Sequence, residues 1–245
     1  MGKLLLIDGH AILHRAFHAL PPMNNRAGTQ TNAVYGFTNM LLQGLGDLAP
    51  THLAVAFDLP QPTFRMQIWT QYQEKRPEMQ GNLAEQIPLV HELLEALGIR
   101  YFEVGGYEAD DVIGTLARSA CHAELVSASG SKTHEVSKEI PKQVRDDILQ
   151  EVTIVTGDRD MLQLINEKVK VVVPVKGLAI TKTYDEKTVI AEFGVKPSQW
   201  VDIKALKGDS SDNYPGVRGI GPKTAEKLIS QFETLENVYK NLEKI

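Results

Sequence analysis

Three short apolar runs in this chain stop on an aspartate, and helical patterns separate them. LLLID ends at Asp8, HLAVAFD at Asp58 and VTIVTGD at Asp158, with Asp160 two residues further on. Each run is rich in Leu, Val or Ile, as expected for strands covered on both faces of a parallel sheet. TNAVYGFTNMLLQGL follows the first run and NLAEQIPLVHELLEALG the second, both with helical spacing. Strand–helix alternation of this kind predicts an α/β fold with right-handed crossovers. Ligands of such open sheets bind beyond the carboxyl ends of the strands. Asp8, Asp58, Asp158 and Asp160 are therefore predicted to gather on one edge.

A fourth candidate strand, IRYFEV, leads into GYEADDVIGTLARSA. A helix is predicted from near Glu108, with Ala109, Val112, Ile113 and Leu116 turned inward. Glu108, Asp110 and Asp111 then crowd its first turn. A like-charge pair ~4 Å apart costs about 4 kcal/mol at an effective dielectric of about 20. Read singly, these acids are a charged helix cap, favoured by the dipole by roughly 0.3–1 kcal/mol each. The strand-end aspartates read singly are turn or cap residues. Their convergence on one predicted edge argues instead for something cationic that holds them. Asp209 and Asp212 lie further on, before GVRGIGPKTA. That turn and the helix opening at PKTAEKLI read as a helix-hairpin-helix. Gly219 and Gly221 would let backbone amides approach a phosphate, with Lys223 and Thr224 at the helix start.

The acids number nine: Asp8, Asp58, Glu108, Asp110, Asp111, Asp158, Asp160, Asp209 and Asp212. Hard divalent cations such as Mg²⁺ and Mn²⁺ take oxygen ligands of this type. Two such ions can activate water and stabilise the leaving oxygen in phosphodiester hydrolysis. The net charge of −5 at first argues against a nucleic-acid partner. Setting nine of the 31 acids aside leaves 22 against 26 Lys and Arg. The acidity is thus local, and a surface that binds a phosphate backbone remains compatible with it. Cys121 is the one cysteine, which suits a reducing compartment. The amino terminus carries no signal-peptide or myristoylation pattern, and no apolar run is long enough to span a bilayer. A cytoplasmic protein is expected.

The stretches LLLIDGHAILHRAFHAL, NAVYGFTNMLL, AVAFD, TFRMQIWTQYQEKRPEM, GYEADDVIGTLA, TIVTGDRDMLQL and LKGDSSDNYPGVRGIGPKTAEKL cover nearly the whole chain in order. In them the sequence resembles the 5′-nuclease (flap endonuclease) family, most closely the amino-terminal 5′→3′ exonuclease domain of bacterial DNA polymerase I. The resemblance implies a parallel-sheet, PIN-like core with a helical arch and a carboxyl-terminal helix-hairpin-helix subdomain. The domain division is placed at 1–175 and 176–245, the second part truncated. It implies a nuclease that uses two Mg²⁺ or Mn²⁺ ions to cut near the 5′ end at a nick, gap or flap, RNA-primed ends included. The setting would be replication and repair in the bacterial cytosol, as a monomer, with K⁺ at the helix-hairpin-helix and no polymerase activity.

By the same resemblance all nine acids fall on metal-binding positions. Asp8, Asp58, Glu108 and Asp110 favour one ion, Asp158, Asp160, Asp209 and Asp212 the other, with Asp111 nearby. Arg65, Lys75 and Arg76 lie in a run with Trp69 and Tyr72, which by composition alone reads equally as a solvated amphipathic helix. The resemblance makes it part of the arch, with Lys75 and Arg76 on the scissile phosphate and Arg65 on DNA. Tyr35 either stacks on an unpaired base or fills a helical core. Arg15 contacts phosphate or pairs with an active-site acid. His10, His14 and His18, spaced by four, suggest zinc with Asp8 only weakly, because carboxylate-rich sites prefer harder ions. Residues 122–147 depart from the pattern and read as a polar surface insertion. Two other functions compete: a module that binds flaps or nicks without cutting, and a PIN-like ribonuclease. The latter would lack the arch and the glycine hairpin.

Overall fold

Along β1 (Gly2–Asp8) successive side chains point to opposite faces of a sheet, and both faces are buried. Leu4 and Leu6 pack on one side, Leu5 and Ile7 on the other. In β2 (His52–Phe57) Ala54 and Ala56 share the first face, Val55 and Phe57 the second. This two-sided burial is why the strands read as continuous apolar runs. The computed structural model describes residues 2–121, 149–176 and 180–244. The insertion expected at 122–147 lies outside the described residues.

The first face is covered by α6 (Ala109–Cys121), through Ala109, Val112, Ile113 and Leu116. The second is covered by α1 (Gly9–Ala19), α2 (Asn32–Leu48) and α5 (Ile87–Ala96), through Ile12, Leu13, Phe37, Leu41, Val90 and Leu94. Complete burial of such a side chain is worth ~1.5–3 kcal/mol. Between α2 and β3 (Arg100–Glu103) lie the short helices α3 (Phe64–Ile68) and α4 (Gly81–Ala84). The sheet runs β3-β2-β1-β4-β5-β6, with β4 (Leu149–Val155), β5 (Val169–Lys176) and β6 (Ile180–Tyr184). All neighbours are parallel except β6, which is antiparallel to β5.

A second, smaller core joins Val195, Ile203, Leu206, Ala225, Leu228, Ile229 and Val238. It is built from α8 (Trp200–Lys207), α9 (Pro222–Phe232) and α10 (Leu235–Lys240). The expected boundary at 175/176 therefore shifts. Residues 180–193 belong with the sheet, because β6 pairs with β5, and Tyr184 with Val189 of α7 (Glu186–Phe193) buries in the main core. The helical core begins at Val195. No described helix is long and apolar enough to cross a membrane.

Glycine is required at two close approaches. A Cβ on Gly9 would lie 2.2 Å from the Phe57 ring, so α1 can start directly after Asp8 only with glycine there. Gly208 (φ +75) faces Gly216, and a Cβ on it would lie 2.4 Å from the Gly216 nitrogen. That contact pinches off the loop carrying Asp209 and Asp212.

The segment read as an arch is helical only in part. α3 is five residues long with none of them buried, and turns follow it to Arg76. Short helices draw their stability from packing, and α3 has no apolar face against the core. Trp69 is extended and Gln73 left-handed at φ 56, which ends the helix.

Candidate active site

Each acid at the sheet edge serves the local backbone and the cleft together. Asp8, at the end of β1, is buried. Its Oδ1 accepts from the Ala11 N–H (3.0 Å) and caps α1, while its Oδ2 accepts from Thr156 Oγ1 (2.8 Å). Asp58, just past β2, accepts from the Ala109 N–H at 2.7 Å and so anchors the start of α6. Asp158, past β4, accepts from the Asp160 N–H at 2.8 Å. The cap reading of these residues therefore holds, and it leaves a second carboxylate oxygen on each. One carboxylate oxygen fixes the turn, and the turn aims the group.

The α6 entrance adds Glu108, Asp110 and Asp111. Glu108 accepts from Thr63 Oγ1 (3.1 Å) and from the Tyr72 hydroxyl (3.0 Å). Burial, then the charges of Glu108 and Asp212, push the Tyr72 phenol up, so it stays a donor. Arg65 makes a fork to Asp111 at 2.6 and 2.8 Å and reaches Asp110 at 3.4 Å. The Asp110 Oδ1 is buried and has no hydrogen-bond partner among the described residues. Burial, reinforced by Asp111 and Glu108 and opposed by Arg65, raises the Asp110 carboxyl to about 7. Burial and the nearby charges of Asp58 and Asp158 raise Asp8 to about 6, against the bonds from Ala11 and Thr156. Paired, ionised carboxylates sit lower; these two groups lack a full positive counter-charge.

The second group joins Asp160, just past β4, to Asp209 and Asp212 of the helical part. Asp160, Asp209 and Asp212 offer carboxylate oxygens within 4.8 Å of one another. Lys204 of α8 bonds Asp160 at 2.6 Å and also Asp209. Asp209 further accepts from the Ser211 N–H (2.9 Å) and hydroxyl (2.5 Å). Burial opposes ionisation of Asp209, but these bonds outweigh it and hold its carboxyl at about 2. A pocket of about 730 Å³ runs from Asp158 and Asp160 past Lys204 and Asp209 to Pro222 and Glu226 at the start of α9. It thus joins the acids to the glycine hairpin.

Of the nine predicted acids, Asp160, Asp209 and Asp212 bring their carboxylate oxygens together; among the described residues Asp8, Asp58, Glu108, Asp110, Asp111 and Asp158 do not close into such a group. An all-oxygen donor set with a buried, unpartnered carboxylate oxygen fits hard divalent cations. The histidines do not form a metal group among the described residues. His10 Nδ1 accepts from the Asp58 N–H at 3.0 Å, and burial, partly offset by Asp58, lowers its pKa. His14 and His18 are exposed and pack edge-to-face on each other.

The remaining predicted residues are more scattered. Lys75 and Arg76 are exposed, and the Arg76 charge reaches His10 and His14 at the mouth of the cleft. Arg65 sits on the acids and is half-buried there. Tyr35 is 51% exposed on α2, which removes the core reading. Arg15 is half-buried on α1. Gly219, Gly221, Lys223 and Thr224 are exposed, and α9 starts at Gly221 without a side-chain cap. Sequence reasoning missed Thr156, Gln73 and Lys204. Lys204 stands on α8, five residues before Asp209, a local signal that could have flagged it.

Residues 3–132 match the family model of the 5′-3′ exonuclease N-terminal, resolvase-like domain, and residues 195–245 that of the 5′-3′ exonuclease C-terminal SAM fold. The chain belongs to the 5′-3′ exonuclease family. The chain is 42% identical over 243 residues to DNA polymerase I of Bacillus caldotenax, covering 99% of the chain and 25% of that protein. It spans about a quarter of the length of the curated relatives it matches. Among solved structures it is similar to the 5′-exonuclease of phage T5 with divalent metal ions (zinc) bound. The TM-score there is 0.71 at 19% identity, over 98% of this chain and 79% of that one. It is similar also to the bacteriophage T5 flap endonuclease in a pseudo-enzyme-product complex with DNA and metal ions, with TM-score 0.71, 18% identity and the same coverage. At these identities the likeness is one of fold.

Proposed function

We propose that this chain is a metal-dependent 5′→3′ exonuclease and flap endonuclease. It hydrolyses phosphodiesters near the 5′ end of DNA, or of RNA primers, at nicks, gaps and flaps during replication and repair in a bacterial cytoplasm. The observation that carries the reading is the approach of the Asp160, Asp209 and Asp212 carboxylate oxygens to within 4.8 Å of one another. Asp8, Asp58, Glu108 and Asp110 would hold one Mg²⁺ or Mn²⁺, and Asp158, Asp160, Asp209 and Asp212 the second. Bound there, two ions supply an activated water and stabilise the leaving oxygen. The chain's own residues do the rest. Thr156 and the Ala11 and Ala109 amides orient the carboxylates. Lys75 and Arg76 draw the scissile phosphate to the acid edge. Arg65 reaches DNA only through the acids it orders. Arg15 contacts phosphate and Tyr35 stacks on an unpaired base. Gly219, Gly221, Lys223 and Thr224 present the uncapped start of α9 to duplex phosphates, with K⁺ at the hairpin. The chain acts as a monomer.

The deciding experiment offers a labelled 5′ flap, a nicked duplex and single-stranded RNA, each with and without Mg²⁺. Cleavage of flap and nick only with Mg²⁺ supports the reading. Binding without cleavage indicates a recognition module, and preference for single-stranded RNA a ribonuclease.

A further inference from the structure

Each acid group contains one cation that belongs to the chain. Arg65 reaches Asp111, Asp110 and Glu108, at 2.6, 3.4 and 3.9 Å. Lys204 lies between Asp160 and Asp209, its ammonium in contact with both. The two cations differ in kind. A guanidinium holds a carboxylate through a rigid two-pronged fork, whereas an ammonium is a compact charge on a flexible stem with rotatable donors. Arg65 has the fork, on Asp111. It also ties α3 to the core, since no α3 residue is buried.

Lys204 is placed otherwise. It sits within the group whose three carboxylates approach within 4.8 Å. Three such charges repel strongly unless a cation stands among them. Its side chain is 21% exposed and borders the open pocket of about 730 Å³, so the ammonium has room to swing aside without disturbing the α8 core. We propose that Lys204 is a positioning residue, a tethered counter-cation that keeps Asp160 and Asp209 together and gives way when a divalent ion enters, while Arg65 stays in place. This rests on the reading of Asp160, Asp209 and Asp212 as metal ligands. Metal entry at this group is then an exchange of one cation for another, and Lys204 sets its affinity.

The test uses the full chain with Lys204→Met. Calorimetric titration with Mn²⁺ should show one site tightened by about tenfold or more, because a positive charge within ~4 Å of the ion has gone. In EDTA the variant should melt below wild type, and the gap should close at saturating Mn²⁺. Unchanged or weaker Mn²⁺ binding by a cooperatively folding variant overturns the proposal. Should the variant not fold, the wild-type chain decides. The ¹⁵N resonance of Lys204 Nζ should move with Mg²⁺ occupancy while that of Arg65 Nε holds still, and an unmoved Nζ at saturation overturns the idea. A wild-type chain that takes up no Mn²⁺ sinks the metal reading itself. Uptake indifferent to the substitution sinks the proposal alone.

Discussion

The Gln73 N–H donates to the Asp212 carbonyl at 3.1 Å, and the Gln73 amide reaches the Asp212 carboxylate at 3.3 Å. Asn213 returns a bond to the Gln71 carbonyl at 2.8 Å. Two segments 139 residues apart in sequence thus clasp across the acid cleft. Gln73 and Asn213 both hold φ 56 to do so, a conformation costly for side-chain-bearing residues. The neighbouring Tyr72 bonds Glu108, so one dipeptide touches both acid groups and fixes the start of the segment bearing Lys75 and Arg76.

Gln73→Leu should loosen that segment while sparing the core. Trypsin should cut after Lys75 severalfold faster than in wild type, Arg76 being shielded by Pro77, with the melting temperature within a few degrees, since each kcal/mol is worth ~2–4 °C at this size. Unchanged proteolysis would mean the clasp does not restrain the segment.

Thr156→Val should destabilise the fold and the site together. Thr156 is fully buried; it donates to Asp8 Oδ2 and accepts from the Asp158 N–H at 2.9 Å. Leaving those groups unpaired costs ~1–3 kcal/mol. Chemical denaturation should report a loss in that range and Mn²⁺ titration a weaker affinity.

Asp110→Asn should abolish cleavage and stabilise the metal-free fold at alkaline pH. The folded carboxyl is raised from 3.8 to about 7, so the folded state keeps a proton that the unfolded chain has already released. Its contribution is full below about 4 and is lost as pH rises through 7. Melting in EDTA should favour the variant at pH 8, with the advantage shrinking by pH 5. A saturating divalent ion should reverse it. Equal melting curves at all pH values would show that the Asp110 environment is not as described.

Lys75→Ala and Arg76→Ala should slow single-turnover cleavage more than they weaken flap binding. A comparable oxyanion donor is worth ~2.7–4 kcal/mol in the transition state. Wild-type single-turnover rates would remove both from the mechanism.

Gly221→Val should lower affinity for a nicked duplex with no change in fold. Nothing lies within 4 Å of a Cβ there and its φ is −88, so the chain tolerates a side chain. A duplex phosphate against the α9 amides would not. Equal affinity at several salt concentrations would make the hairpin structural only.

The sequence by itself determined the parallel strands, the acids at their ends and the inward face of α6. Those features are written in windows of a few residues, as apolar runs and spacings that local geometry turns into strand, helix and face. The positions of Asp8, Asp58, Asp158 and Asp160 past the strands, and of Glu108, Asp110 and Asp111 at the start of α6, were legible because local geometry sets where a strand ends and a helix begins. Tertiary structure alone decided which cations stand among them. Arg65 meets Asp111 across 46 residues, Lys204 meets Asp160 across 44, and Gln73 meets Asp212 across 139. No local pattern specifies a pairing between segments so far apart. The same holds for the antiparallel seat of β6 and the shortness of α3, which follow from what each segment finds to pack against. Composition named the charges, and the packed fold assigned their partners, because a buried carboxylate takes whichever donor the surrounding elements bring within reach.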